Sequence, residues 1–540
     1  MTMRGSHLLL KATEAATYNM LLQLMMRLMT FGLNAFSLRF ISKEMLGVVN
    51  VRLILLYSTS LFIATEALDR VGISKLKDKH WPQVINLIWL SLPLSVVCSL
   101  VLGYAWAYIF QRPDHAITPN YVYGVFGFAL ATVIYCTCRQ LFVIANAQMF
   151  VKLRVIINGI SELFRCVVNI ILVIYFPHWG VINFALSQVL SAILYVICYY
   201  GYIIYYMRGL DESSDFPVKK IRDLFPRRLE GMPFIDTTQA KLAFSIFKQC
   251  VLKQFLTEGE KYVMTIFAVL NFADQGIYEM VNHLGSLAVR FIFLPIEESG
   301  SLFFSQLLVR GEHVSKQNEE NVKLATGVIR YLLKFVTMIG LITMVFGYSY
   351  SYLTLHLYGG KVLSVGLGPS LLRWYCVYVL IISINGVTEC FCFAIMGEPE
   401  VDSYNRKLVI FSAILLSSSL ILTHWFGSVG FIFANCINMI CRIIHSINYI
   451  VHYFQGSGYK PFQGVWPSKT VVASLVVAFI ITALSENYFC CHFGYHWRVV
   501  HICIGAVCGL GVLLTVYLTE MEMWEFMVKQ YKASQQKKLD

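Results

Sequence analysis

The side chains most able to do chemistry lie in an otherwise apolar stretch of the chain, residues 241–298. This stretch predicts two membrane-spanning helices joined by a short turn at residues 271–276. A charged side chain at the centre of a membrane helix costs about 2.5–3.5 kcal/mol on insertion scales. We therefore expect its charges to face water, one another or a ligand. They include Lys241, Lys248, Lys253, Glu258, Glu260, Lys261, Arg290, Glu297 and Glu298.

Cations outnumber acids at similar depth in the predicted helices. Residues seven apart lie within about 20° of each other around a helix, so polar residues form stripes on single faces. The cations are Arg27, Arg52, Arg139, Arg165, Lys241, Lys248, Lys253, Arg290 and Arg442, and the acids are Glu66, Glu260, Glu297 and Glu389. An excess of buried positive charge favours an anionic ligand, and phosphate best matches the planar fork of arginine. The pattern predicts a water-filled cationic cavity between the two halves of the chain.

A structural interpretation of the same stripes stays open. Polar side chains bond across packed membrane helices at about 0.6 kcal/mol each, and this role is favoured for the asparagine and serine members. Lys253 with Glu260 and Arg290 with Glu297, each about two turns apart, would then be local pairings rather than ligand contacts.

Composition places the chain in a membrane. Of its 540 residues 57% are hydrophobic and 14% are charged, whereas soluble domains carry about 25% charged residues. A span needs about 20 apolar residues, and about 14 such segments are predicted, so the fold class is an all-α polytopic membrane protein. Charges interrupt the first, seventh, eighth and ninth segments or their ends. The fifteen cysteines show no paired spacing that would hold zinc, and no metal or cofactor is predicted.

The connections divide the predicted helices into groups of six, six and two. Residues 1–206 form an N-lobe of helices 1–6, and residues 207–240 form a charged, solvated cytosolic linker. Residues 241–454 form a C-lobe of helices 7–12, and residues 455–540 hold helices 13 and 14 with a tail. The sequence at the start of the N-lobe weakly resembles the sequence at the start of the C-lobe. Secondary transporters are usually built from internal repeats, with the binding site at the interface between the repeats.

The distribution of cations predicts the orientation. Most lysines and arginines of the connections fall on one side, and the other side holds Lys43, Arg112, Lys361 and Arg498. The positive-inside rule makes the rich side cytosolic, so both termini are predicted to be cytosolic. The last four residues, Lys537–Asp540, resemble a dilysine retrieval signal of endoplasmic-reticulum membrane proteins, which acts on that side.

Motifs for catalysis are absent from the sequence. It contains no GxxxxGK[ST] loop, no HExxH and no GxSxG. A polytopic glycosyltransferase is the enzymatic alternative, but such enzymes place acidic pairs in a large lumenal loop. Here the lumenal connections are short, and their acids are chiefly Glu44, Asp114 and Asp274. We therefore predict that the protein is not an enzyme.

Long, dispersed sequence blocks resemble one known family. They include residues 31–62 and 255–299, and the shorter segments AQMFVKLRVI, LYGG, INGVTECF and FGSVGFIFANCINM. The whole chain resembles the Rft proteins of the eukaryotic endoplasmic reticulum. These belong to the multidrug/oligosaccharidyl-lipid/polysaccharide exporter (MOP) superfamily, which also includes the bacterial lipid II flippase. The resemblance implies two pseudo-symmetric six-helix lobes around a central cavity, plus two extra helices.

The resemblance also implies a function, which is transport of a glycolipid. The protein would move dolichol-diphosphate-linked oligosaccharide from the cytosolic to the lumenal leaflet of the endoplasmic reticulum membrane for protein N-glycosylation. The alternative is a non-translocating glycolipid-binding or scaffold protein that supports assembly of this lipid, with pathway glycosyltransferases as partners. No nucleic-acid partner is expected.

The cationic cavity and this substrate together suggest roles for eight residues. Cations at mid-depth would replace the water lost by the diphosphate, while the polyprenyl tail stays in lipid through a gap between helices 1 and 8. The residues predicted to contact the diphosphate or first sugars are Arg27, Arg52, Lys253, Arg290 and Arg442. Glu260, Glu298 and Lys152 are predicted to set the gates by pairing, with Lys152 at the cytosolic mouth.

Overall fold

The computed structural model describes most of the chain as helix. It covers residues 22, 25, 26, 28–74, 80–115, 118–148, 150–209, 216–228, 233–490, 494–526 and 528, without the side chains of residues 151, 249, 252, 253 and 256. No strand occurs within these ranges, so the all-α prediction is confirmed. The chain divides into two compact units, Met1–Gly276 and Ile277–Asp540. The predicted lobes at residues 1–206 and 241–454 stay a prediction.

In the part of unit 1 that the structure describes, residues 28–37 are helical and seven helices follow them. They are α1 (Lys43–Ile73), α2 (Trp81–Ile109), α3 (Tyr121–Cys136), α4 (Arg139–Ala147), α5 (Val151–Tyr175), α6 (Val181–Arg208) and α7 (Thr237–Ile266). The Ser42 hydroxyl caps α1 by accepting a hydrogen bond from the Met45 amide at 3.2 Å. Helices α3 and α4 form one apolar pair bent by 47°. Helix α6 packs on α3 and α5, and α1 packs on α2 and α7.

The second part of the predicted linker packs against the start of α2. The Asn86 amide donates to the carbonyl oxygens of Arg227 and Phe234 at 2.8 and 2.7 Å, and the Trp89 indole donates to Leu224 at 2.9 Å. Leu224 is fully buried. The charges of this connection led us to expect a solvated linker. In its described part Phe216, Val218 and Leu224 are buried in unit 1, whereas Ile221, Phe225 and Phe234 are exposed.

Unit 2 contains the helices that follow. They are α8 (Phe272–Ala288), α9 (Leu294–Leu307), α10 (Glu319–Gly359), α11 (Gly368–Ile395), α12 (Glu398–Phe426), α13 (Val429–Tyr453), α14 (Lys469–Phe489) and α15 (Tyr495–Thr519). The boundary between the units falls inside the first turns of α8. Helix α11 packs on α10 and α13, α12 packs on α13, and α14 packs on α10 and α15.

Two π-helical segments contain an arginine. Val48–Leu53 in α1 includes Arg52, and Val289–Phe293, between α8 and α9, includes Arg290. Wider turns of this kind are rare, and they occur frequently at functional sites. Both arginines were predicted to contact substrate.

The number of membrane spans differs from the predicted 14. Within the described residues, ten helices are long and apolar enough to cross a membrane, or eleven if the bent α3–α4 pair is one span. The first predicted span, residues 15–40, is described only in part, and its residues 28–37 are helical. The segments formed by α7 and by α8 with α9 are helical but are not among the eleven, because charges interrupt α7 and because α8 and α9 have only 17 and 14 residues. The count of 14 is therefore not confirmed.

Candidate functional site

Unit 1 contains an open cavity between membrane-spanning helices, lined by both polar and apolar side chains. Its volume is about 820 Å³, within the range of roughly 300–1,000 Å³ that small-molecule sites occupy. Side chains of α1, α3, α4, α5 and α6 line it, together with Met26 and Thr30. We call it the unit 1 cavity. Its charged lining residues are Arg139, Arg154, Glu162 and Arg165.

Arg139 is held in a buried ion pair. Its Nε donates to Oδ2 and Oδ1 of Asp69 at 2.8 and 3.0 Å, and the two side chains are 10% and 7% exposed. The guanidinium carbon also lies 3.9 Å from the centre of the Phe142 ring. Arg139 is the first residue of α4, directly after the bend that follows α3. The bend therefore places its guanidinium next to Asp69 at the end of α1.

Arg165 is paired on its own helix. Glu162, three residues earlier on α5, accepts from both Nε and Nη2 of Arg165. We expected Arg139 and Arg165 to be excess cations, and this expectation was wrong because both have acidic partners. Asp69 lies beyond the predicted end of its helix. Glu162 was detectable, since residues three apart are neighbours on a helix.

Arg154 is the cation of the cavity that lacks an acidic partner within the described residues. Its Nη1 donates to the Asn146 side-chain oxygen at 2.8 Å, and Asn146 is neutral. Asn146 is in turn held by donating to the Phe142 carbonyl at 2.7 Å. The unit 1 cavity therefore retains one uncompensated positive charge.

Arg52 lies away from this cavity. It is completely buried, its Nη1 donates to the Gln111 carbonyl at 3.2 Å, and its guanidinium carbon is 5.0 Å from the centre of the Phe272 ring. Its Nε and Nη2 have no hydrogen-bond partner among the described residues. Trp106 donates to the Arg52 carbonyl at 3.0 Å, which ties this turn of α1 to α2.

Two other predicted residues of unit 1 lie outside the unit 1 cavity. Lys152 is exposed near the start of α5, and Glu260 is half-buried on α7; neither lines the unit 1 cavity. Arg27 lies outside the described residues, and so does the side chain of Lys253. The proposed pairing of Lys253 with Glu260 is therefore outside the described residues as well.

In unit 2, Arg442 is neutralised by Glu389. Arg442 on α13 donates through Nε and Nη2 to the two oxygens of Glu389 on α11, at 2.8 and 2.6 Å. The Tyr404 hydroxyl of α12 and the Asn385 amide also donate to this carboxylate. Glu389 is 8% exposed. Three helices thus meet at one buried carboxylate, a geometry that orders the unit whether or not it meets a ligand.

Unlike Arg442, Arg290 is not neutralised by an acidic residue within the described part of the chain. It is exposed in the π-helical turn and makes no hydrogen bond or ion pair within the described part of the chain. Glu297 does not pair with it. That carboxylate is half-buried and packs against Gly386, where a Cβ atom would overlap it. Glu298, on the next position of α9, is exposed.

Comparison with known proteins gives a consistent family. A model of the family described as "Rft protein" matches residues 11–530. The chain is 44% identical over 537 residues to "Man(5)GlcNAc(2)-PP-dolichol translocation protein RFT1" of Xenopus tropicalis, covering 99% of this chain and 100% of that protein. It is 35% identical over 539 residues to the Drosophila melanogaster protein of the same name, covering 94% and 95%.

Solved structures with a similar fold are membrane transporters. "Lipid II flippase MurJ, inward closed conformation" has a TM-score of 0.57 at 13% identity, covering 93% of this chain and 99% of that one. An inward-facing multidrug resistance MATE family transporter of the MOP superfamily has a TM-score of 0.53 at 14% identity, covering 81% and 99%. At these identities the similarity shows the fold alone.

Proposed function

Because this chain belongs to the Rft protein family, we propose that it moves dolichol-diphosphate-linked oligosaccharide across the endoplasmic reticulum membrane. The movement is from the cytosolic to the lumenal leaflet and supplies protein N-glycosylation. The names of the relatives from Xenopus tropicalis and Drosophila melanogaster, both translocation proteins for Man(5)GlcNAc(2)-PP-dolichol, support this substrate.

The observation that carries the proposal is the unit 1 cavity, which presents charged and polar side chains among apolar helices. A diphosphate glycan does not cross hydrocarbon unaided, since its charges and hydroxyl groups would lose their hydration. A cavity of about 820 Å³ lined by arginines, tyrosines and amides replaces part of that hydration. The polyprenyl tail has no such cost and stays in the lipid.

The orientation of the chain follows from its charges. We propose that both termini are cytosolic. The protein carries no reaction of its own in this scheme, and pathway glycosyltransferases supply and use its substrate. Use of the lipid-linked oligosaccharide on the lumenal side would keep its concentration there low. Net transport would then run toward the lumen without nucleotide hydrolysis.

Among the predicted substrate contacts, Arg290 is the best candidate for a phosphate ligand. It is exposed and unpaired within the described residues, so binding a phosphate costs no broken ion pair. Arg442 would first have to leave Glu389, and Arg52 is enclosed. For these two we propose a structural contribution. Arg27 and Lys253 remain proposed contacts, and Lys152, Glu260 and Glu298 remain proposed gates.

Reconstitution tests this function directly. Purified protein is placed in liposomes with Man(5)GlcNAc(2)-PP-dolichol, and a membrane-impermeant glycan-binding protein or glycosidase reports how fast the lipid changes leaflet. We expect movement well above that of empty vesicles. A protein that binds the lipid but moves it no faster than empty vesicles do would instead be the scaffold.

A further inference from the structure

Acidic residues neutralise two of the three arginines that line the unit 1 cavity. Asp69 neutralises Arg139 and Glu162 neutralises Arg165, so neither arginine is free for an anion without breaking a pair. Arg154 is left with the neutral Asn146. A cavity with one available cation does not suit a multiply charged ion alone. It suits a ligand that is mostly neutral and has an anionic group at one end.

The neutral part of the lining combines aromatic rings with unused polar groups. Tyr135 and Tyr195 are stacked with ring centres 4.4 Å apart, and their hydroxyl groups are 3.0 Å apart. Asn158 is exposed and has no hydrogen-bond partner within the described residues. The Ser161 hydroxyl is buried and also lacks a partner among them. A buried polar group is normally satisfied, so the Ser161 hydroxyl needs a ligand or water, whereas the exposed Asn158 amide is available to either.

This combination selects one class of ligand. A lipid tail would leave the amide and hydroxyl groups unsatisfied, and a cationic ligand would need an acid that is not already paired. A sugar ring presents hydroxyl groups around its edge and C–H groups on its faces, so it satisfies amides while packing on tyrosine rings. A volume of about 820 Å³ holds a few rings, not a whole branched glycan.

We propose that the unit 1 cavity binds the sugar rings next to the diphosphate of the glycolipid, with Arg154 facing the diphosphate. Asn158 and Gln188 supply amide contacts from α5 and α6, and the tyrosines supply the packing surface. None of these residues was among the predicted substrate contacts. The identity of the lipid rests on the proposed function, whereas the preference for sugar follows from the cavity.

Equilibrium binding to two lipids tests the inference. Purified full-length protein in detergent micelles is titrated with Man(5)GlcNAc(2)-PP-dolichol and, separately, with dolichyl diphosphate that carries no sugar. In Asn158→Ala/Gln188→Ala we expect the affinity for the glycan-bearing lipid to fall about 10-fold and the affinity for the bare lipid to stay unchanged. Arg154→Gln should weaken both lipids about 10-fold.

Matched variants control for general damage. Asn169→Ala changes the same residue type on α5 outside the cavity, and Arg208→Gln removes an exposed arginine at the end of α6. Both should bind the two lipids as the unaltered protein does. Because Asn158 is exposed, Asn158→Ala alone keeps the fold, and it should already weaken the glycan-bearing lipid about 3-fold to 5-fold.

The outcomes separate this inference from the proposed function. The inference is overturned if the Asn158→Ala/Gln188→Ala variant loses affinity equally for both lipids, or loses affinity for neither. This holds even if the vesicle assay shows movement of the lipid. Selective loss for the glycan-bearing lipid supports the pocket even if the vesicles show no movement, in which case translocation is what fails.

Discussion

The guanidinium of Arg139 lies against the carboxylate of Asp69, with Nε 2.8 Å from Oδ2, and both side chains are almost completely buried. The pair joins the end of α1 to the bend between α3 and α4 across 70 residues of sequence. The sequence gives no sign of this pairing, which neutralises Arg139 and fixes its side chain in the lining of the unit 1 cavity. Pairs of this kind are costly to break on one side only.

Asp69→Asn should therefore lower the free energy of unfolding by about 3–5 kcal/mol, since it leaves the Arg139 charge buried and uncompensated. Replacing both partners, in Asp69→Leu/Arg139→Met, should recover most of that loss. Thermal denaturation in detergent measures both variants. The control is Glu66→Gln, which breaks the exposed Glu66–Arg70 pair one turn earlier and should cost under about 1 kcal/mol. Equal effects of Asp69→Asn and Glu66→Gln would refute the buried pair.

Arg442 is predicted to act through its pairing with Glu389 rather than by holding substrate. Arg442→Met alone should lower stability by about 3–5 kcal/mol and reduce transport with it. Arg442→Met/Glu389→Met should restore stability and at least half of the transport rate in reconstituted vesicles. A double variant that is stable yet unable to transport would show instead that Arg442 contacts the glycolipid.

Arg290→Ala should slow translocation about 10-fold with little change in melting temperature, because the side chain is exposed and has no partner within the described residues to lose. Arg290→Lys should keep part of the rate, since it retains the charge without the bidentate fork. Arg406→Ala, at an exposed arginine of α12, is the matched control and should transport normally. Normal transport by Arg290→Ala would remove this residue from the proposed substrate contacts.

Gly47→Ala tests a close approach within unit 1, between α1 and residues 272–276. A Cβ atom at this position of α1 would overlap the Phe272 carbonyl, and one at Gly276 would overlap the Lys43 carbonyl. We expect Gly47→Ala to cost about 1–3 kcal/mol of stability, because the backbones must separate. Gly511→Ala on α15 meets no atom within 4 Å and should cost nothing. Similar melting temperatures for the two variants would argue against the contact.

Asn86→Ala should release the docked part of the linker. Asn86 donates to two carbonyl groups and accepts from the Arg227 amide at 2.9 Å, so its loss leaves several backbone groups unpaired. Trypsin cleavage after Arg227 and Arg228 should become about 10-fold faster under native conditions. Asn169→Ala, a half-buried asparagine of α5, should leave the cleavage rate unchanged, and a rate unaltered by Asn86→Ala would contradict the docking.

The sequence alone determined the class of the protein and its family. Apolar segments of spanning length have only helices as a stable form in lipid, which predicts an all-α protein without any tertiary information. The pairing of Arg165 with Glu162 was also within reach, because neighbours on one helix follow from helical geometry. Sequence blocks such as residues 255–299 were specific enough to indicate the Rft family.

Only the tertiary structure decided which charges remain free. Asp69 neutralises Arg139 from 70 residues away and Glu389 neutralises Arg442 from 53, and such distances depend on which helices pack together. Helical periodicity reports the face on which a side chain lies but not the helix that the face meets. For that reason the sequence overestimated the excess of buried cations. It did not indicate Gln188, and it did not show that Arg52, Arg154 and Arg290 have no acidic partner among the described residues.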